Sequence, residues 1–299
     1  TAAPPLESSC AQRLIGRENA MSYFMAVILG IVQGVAEFLP ISSSGHLILL
    51  QHFFSEMEEP DNLYNILLHF ATLIAVCVAY WGDVRDMVLE FFRAMGSFFS
   101  KPPAKGNVPP ARRLVLLIIV STLPLLVLAP ITDLIEDIGN TPVFVSCALL
   151  ITGFILFFSD SMAHGKKTAR NATVKDALLV GLAQGVATIP GLSRSGCTIS
   201  AGMLLGFERK FAVRYSFLMS LPAVLGATLL KVIKTIGTEV DPALLPKYLL
   251  GMVVAGVVGY FAIQLVKLLA EKGKFGAFAY YCWLVGAISL AAALAGFPA

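Results

Sequence analysis

Charge is what this sequence has least of: 14% of its 299 residues are charged, whereas 57% are hydrophobic. Soluble proteins average about 25% charged and about 45–50% apolar. A soluble domain of this size could not hide so much apolar surface in one core, so that class is excluded and lipid has to solvate part of the chain. The formal net charge of +3 lacks the basic excess that would point to nucleic acid. The five cysteines (Cys10, Cys77, Cys147, Cys197, Cys282) lack CxxC or paired spacing. That excludes a disulfide framework or a cysteine metal site and leaves them as packing thiols. Residues 1–20 lack the apolar core of a signal peptide. With Met21 as a plausible native start, they read as an unstructured extension or an expression remnant.

Long apolar runs are what is abundant. Six have the length to span a bilayer, which takes roughly 20 residues as helix: 63–82, 112–130, 142–159, 211–235, 247–269 and 276–297. Two further regions are broken. Pro40 and a serine cluster interrupt 22–54, and Pro190 with a Ser/Gly cluster interrupts 176–206. Each reads as two short helices joined at a polar bend, a re-entrant hairpin. Irregular backbone at membrane depth survives only where protein or water satisfies it, so the bends should line a cavity. Residues 83–99 mix Met87, Val88, Phe91, Phe92 and Met95 with charges, the pattern of an amphipathic interfacial helix. The stretch 101–110 (KPPAKGNVPP) reads as a linker.

The two bends are copies of each other. GIVQGVAEFLPISSSGH at 30–46 aligns without gaps on GLAQGVATIPGLSRSGC at 181–197. Gly30, Gln33, Gly34, Val35, Ala36, Ser42, Ser44 and Gly45 match Gly181, Gln184, Gly185, Val186, Ala187, Ser193, Ser195 and Gly196. Residues 21–160 and 161–299 are therefore read as two repeats, each a re-entrant hairpin plus three transmembrane helices. An odd number of crossings inverts the second relative to the first, an arrangement known where broken helices meet at the midplane. The expected fold is an all-α polytopic membrane protein with inverted-topology repeats.

Loop charge orients it. Basic residues gather at 83–113, 160–175, 207–214 and 270–275, acidic ones at 55–61, 132–141 and 236–242. Positive charge marks the cytoplasm. The first hairpin then opens from outside, the second from the cytoplasm, and both chain ends lie outside.

Against this apolar background a few polar residues stand out. Glu37 is isolated within an apolar helix, and an intramembrane carboxylate is costly and by default functional. Gln33 lies one turn before it on the same face. His46 ends the repeated motif, within reach of Glu37 if the bend folds back, and imidazole is the side chain best suited to proton exchange near neutrality. The lone His52 and His69 read as structural. Arg194, deep in the second bend, needs an anion: a phosphate, which suits its fork of donors, or a structural pairing with Glu37. Ser193, Ser195, Gly196 and Thr198 stand at a short helix whose free N–H groups and dipole favour an anion. Ser42, Ser43, Ser44 and Gly45 do the same in the first half, with close packing of small residues as the alternative. The copies diverge at telling places: Glu37, Ser43 and His46 face Thr188, Arg194 and Cys197. One half carries proton-handling groups and the other the cation, as a composite phosphoryl site requires.

At these residues the chain resembles the undecaprenyl-diphosphate phosphatases, also called bacitracin-resistance proteins. Their first motif, (Glu/Gln)-x-x-x-Glu then Pro-x-Ser-Ser-x-Gly-His, is present as Gln33, Glu37, Pro40, Ser42, Ser43, Gly45 and His46. The second, Pro-Gly-x-Ser-Arg-Ser-x-x-Thr, is present as Pro190, Gly191, Ser193, Arg194, Ser195 and Thr198. The resemblance spans 21–299. It implies a hydrolase of a diphosphate anhydride in the bacterial cytoplasmic (inner) membrane, its active site open to the outer, periplasmic face. Its substrate would be undecaprenyl diphosphate or a shorter polyprenyl diphosphate. The product, undecaprenyl phosphate, would be recycled for cell-wall synthesis, conferring bacitracin resistance. It also implies a divalent cation, Mg²⁺ or Ca²⁺, held by Glu37 and Gln33, the latter standing where some members carry a second Glu. Glu37, His46, Arg194 and Ser43 are the expected catalytic residues, with His46 and Ser43 rival nucleophiles. Ser42, Ser44, Gly45, Ser193, Ser195, Gly196 and Thr198 are expected to bind substrate. Partners are the lipid substrate and membrane lipid, with no nucleic acid and room for a homodimer. The alternative from another class is a secondary transporter or lipid flippase, the usual owner of inverted repeats with broken helices.

Overall fold

A computed structural model describes residues 21–53, 62–98, 109–131, 135, 139, 141–235 and 242–297. The expected extension at 1–20, the linker at 101–108 and most of the acidic loops at 55–61, 132–141 and 236–242 lie outside the described residues. Eleven α-helices follow in order among them: α1 (Tyr23–Phe38), α2 (Ser43–Phe53), α3 (Asn62–Ala79), α4 (Trp81–Phe98), α5 (Pro110–Leu128), α6 (Pro142–Ser161), α7 (Val174–Val186), α8 (Arg194–Leu204), α9 (Arg209–Thr235), α10 (Leu245–Glu271) and α11 (Ala277–Leu294). Among the described residues no strand forms, only an isolated bridge between Lys167 and Phe207. The chain is an all-α polytopic membrane protein. Five helices are long and apolar enough to cross a membrane, and the bent pair α3–α4 makes a sixth if counted as one.

The expected elements map onto these helices. α3, α5, α6, α9, α10 and α11 coincide with the six apolar runs, within a few residues at each end. The amphipathic stretch forms α4, turned 92° from α3. It docks through Glu90, which is 8% exposed and accepts from Arg93 at 2.8 Å and from Arg112 on α5 at 3.2 Å. Both broken regions fold as helix–bend–helix, α1–α2 and α7–α8. Side-chain caps define several starts, satisfying N–H groups that have no intrahelical partner. Ser22 accepts the Met25 N–H, Thr141 that of Phe144, and Thr173 with Asp176 forms a capping box.

Packing joins the two halves. α1 lies on α10 and α7 on α5, in both cases through the glycines that the repeated motif shares. A Cβ on Gly30 would come within 2.7 Å of the Gly251 carbonyl oxygen, and one on Gly181 would collide with the Ser121 backbone. Small residues let helix backbones approach in this way. At one end of the bundle, ion pairs tie the helix termini together: Arg209 to Asp160, Arg214 to Asp83 at 2.5 Å, and Lys210 to Glu271 at 3.2 Å. Lys267 bonds the Ala79 carbonyl at 3.1 Å above the Tyr80 ring. This end gathers the basic loops. The outward faces carry exposed apolar side chains such as Leu126, Val253, Phe261 and Leu284, a surface that lipid would solvate. The largest buried cluster runs from Phe38 and Ile41 at the first bend through Tyr215 and Phe217 to Phe275.

Candidate active site

The two bends are built alike at one position and differently at another. Ser42 accepts the Gly45 N–H at 3.2 Å, and the matched Ser193 accepts the Gly196 N–H at 3.1 Å. Each serine so caps the helix that follows, α2 or α8. The second bend places a left-handed glycine two residues before its cap (Gly191, φ +87°), whereas in the first the cap Ser42 is itself left-handed, with φ 71°. Left-handed backbone is costly for a residue with a side chain, and strain of this kind gathers at functional sites. The bends touch directly. Ser195 donates to the Leu39 carbonyl at 3.2 Å, and a Cβ on Gly45 would reach Gly191 Cα at 3.1 Å.

This contact brings Arg194, the first residue of α8, onto Glu37 near the end of α1. Its Nη2 donates to Glu37 Oε1. The other carboxylate oxygen, Oε2, accepts from Ser43 Oγ at 3.0 Å and from Gln33 Nε2 at 3.1 Å. Glu37 is 8% and Gln33 1% exposed. The same Gln33 Nε2 lies 3.1 Å from Nδ1 of His69 on α3, which is 3.8 Å from Glu37 Oε2. A carboxylate hydrogen-bonded to a hydroxyl and paired with a guanidinium can accept a proton from that hydroxyl while the cation receives an anion.

His46 faces elsewhere. Its Nδ1 lies 2.8 Å from the Ser42 carbonyl and its Nε2 2.8 Å from the Tyr281 hydroxyl. The carbonyl can only accept, so Nδ1 carries the proton, and in the neutral ring Nε2 accepts from the tyrosine. The two rings stack with centroids 5.6 Å apart and an interplanar angle of 11°.

A profile of the bacitracin resistance protein BacA family matches residues 26–288. The undecaprenyl-diphosphatase of Halothermothrix orenii is 39% identical over 267 residues, covering 89% of this chain and 96% of that protein. That of Treponema denticola is 40% identical over 266 residues, 87% and 94% of the two chains. That of Methanosphaera stadtmanae is 37% identical over 273 residues, 89% and 96%. The chain belongs to the BacA family.

Of the residues singled out in this family member's sequence, Gln33, Glu37, Ser43 and Arg194 come together in one cluster. The pairing of Arg194 with Glu37, the structural alternative to a bound phosphate, is present. His46 is not bonded to Glu37, because its ring is held by the Ser42 carbonyl and Tyr281. Ser44 is exposed at the first bend. Ser193, Ser195 and Thr198 are buried at 1%, 5% and 2% exposure, and their hydroxyls are engaged within the protein. Thr198 bonds the Arg194 carbonyl at 2.8 Å and Ser216 at 2.6 Å. Those contacts fix the backbone that carries Arg194. Two neighbours of the cluster were not among the expected site residues: His69, read there as structural, lies beside Gln33, and Tyr281 beside His46.

The donor set fits a divalent cation only in part. Among the described residues no group of three or more His, Cys, Asp and Glu side chains converges. Glu37 alone fits a hydrated cation that brings water and substrate phosphate oxygens as its other ligands, the usual Mg²⁺ mode. Gln33 turns an N–H, not its carbonyl, toward Glu37, and would have to reverse its amide to act as a ligand.

Proposed function

We infer that this protein is an undecaprenyl-diphosphate phosphatase that releases the terminal phosphate and leaves undecaprenyl phosphate. The hydrogen bond from Ser43 Oγ to Glu37 Oε2, beside the Arg194 guanidinium, carries the reading. Glu37 takes the Ser43 proton, and Ser43 Oγ forms a bond to the terminal phosphorus. The bridging P–O bond breaks and undecaprenyl phosphate leaves as the anion. Water then attacks the seryl phosphate, Ser43 recovers its proton from Glu37, and inorganic phosphate departs. Arg194 and the Ser43 and Ser44 amides at the start of α2 receive the charge on the transferring group, which is the chief task in phosphoryl transfer. Glu37 would hold a divalent cation, which would supply further charge neutralisation. His46, held by Ser42 and Tyr281, takes a proton from the water that attacks the seryl phosphate and passes it to the departing inorganic phosphate.

The same reading puts the end that gathers the basic loops in the cytoplasm, opens the site to the outer face of the inner membrane, and treats 21–160 and 161–299 as inverted repeats. The shared glycine contacts of α1 and α7 support that last point. Phosphate release from undecaprenyl or farnesyl diphosphate, by purified protein in detergent without any gradient, tests the function. Release that depends on added Mg²⁺ or Ca²⁺ and stops with a chelator is expected. Silence from folded protein across cations and chain lengths would move the assignment to transport.

Tyr281→Phe keeps the ring stack and removes one hydrogen bond to His46. Its kcat is expected to fall about three- to tenfold, clearly less than in His46→Ala. Equal losses in steady-state assays would mean that the hydroxyl itself meets the substrate.

A further inference from the structure

We propose that His69 is a positioning residue for this site, acting through Gln33. The proposal rests on the phosphatase reading and adds to it a residue from a different helix. Gln33 Nε2 stands 3.1 Å from Glu37 Oε2 and 3.1 Å from His69 Nδ1. An amide nitrogen carries two hydrogens, so it serves both acceptors at once. The carbonyl end of the same amide could serve neither, and turned over it would set Oε1 against a carboxylate oxygen. The lone pair on His69 Nδ1 therefore selects which way the amide faces. At 1% exposure Gln33 has little access to water to replace a lost partner, and an unmade hydrogen bond in such a place carries its full desolvation cost.

The consequence reaches Ser43. Glu37 Oε2 holds the Ser43 hydroxyl and the Gln33 N–H together, while Arg194 holds Oε1. Fixing the amide fixes the plane of the carboxylate, and so the line along which Ser43 gives up its proton. A histidine that only fills space would tolerate any side chain of similar size. One that supplies an acceptor at Nδ1 tolerates Asn, whose Oδ1 falls near the same place. It does not tolerate Leu, or Gln, whose oxygen sits one bond farther out.

Steady-state phosphate release from farnesyl diphosphate decides the matter. The enzymes compared are the wild type, His69→Leu, His69→Gln, His69→Asn, Gln33→Ala and the double variant Gln33→Ala/His69→Leu, each checked for its thermal unfolding midpoint. His69→Leu and His69→Gln are expected to lose about 10- to 100-fold in kcat with KM within about twofold, and His69→Asn to recover most of that loss. The double variant should be no worse than Gln33→Ala, since residues acting in series are non-additive. Losses that simply multiply, an Asn variant as poor as Gln, or full activity in both Leu and Gln variants would each overturn the proposal. Those outcomes are read against a wild type that turns over and a Glu37→Ala variant that does not. A silent wild type would instead overturn the phosphatase reading itself.

Discussion

Arg194→Ala is expected to lower kcat for phosphate release by about a thousandfold while the protein still folds. The guanidinium reaches the site only because several features of the second bend agree. Ser193 caps α8 so that Arg194 is its first residue, Thr198 holds the Arg194 carbonyl, and Ser195 pins the bend to the Leu39 carbonyl of the first. In the free enzyme its partner is Glu37. When the diphosphate arrives, a fork of donors can bind phosphoryl oxygens without leaving the carboxylate, and the charge that develops in transfer falls on them. Arg194→Lys retains the charge but not the planar fork, and its kcat should fall by about a hundredfold. A purely structural Arg194 predicts something else. The loss would then appear in the thermal midpoint, because Glu37 would be left as a buried unpaired charge, and Glu37→Gln would restore stability to Arg194→Ala. Activity retained in a folded Arg194→Ala protein would remove the cation from the mechanism.

Much of this arrangement was legible in the chain, for reasons that can be named. A span announces itself by length and hydropathy, so α3, α5, α6, α9, α10 and α11 could be placed within a few residues. The helix breaks declared themselves through Pro40 and Pro190, and the matched glycines Gly30 and Gly181 are each pressed against another helix. Glu37 and Arg194 were conspicuous because charge inside an apolar run is costly. His69 and Tyr281 had no such signal. Each is one of several polar groups on a long apolar helix, and only the packing of α3 and α11 around the first bend brings it to Gln33 or His46. The direction of a side chain was equally hidden. Nothing in SSSGH at 42–46 says that Ser43 points to Glu37 while His46 turns back to the Ser42 carbonyl. In that stretch Ser42 takes a left-handed backbone (φ 71°) that its counterpart Ser193 (φ −79°) does not.

The largest loss of all is expected at Ser43, where alanine should reduce kcat by about 10⁴-fold or more. Its Oγ already donates to a carboxylate oxygen at 3.0 Å, the relation between nucleophile and base that covalent catalysis needs. His46, the rival, has both ring nitrogens occupied, one donating to a backbone carbonyl and the other accepting from Tyr281. To attack phosphorus it would have to give up the tyrosine, whereas Ser43 has only to pass its proton along an existing bond. His46→Ala should therefore cost about a hundredfold, as expected for a lost acid–base partner. Covalent chemistry separates the two independently of rate. A phosphate ester on serine survives acid, but a phosphoramidate on histidine does not. Substrate labelled in its terminal phosphate, mixed with enzyme and quenched in acid, should leave label on wild-type and His46→Ala protein and none on Ser43→Ala. Label or turnover persisting in Ser43→Ala would take the nucleophile away from this serine, and with it the role of Glu37 as its base.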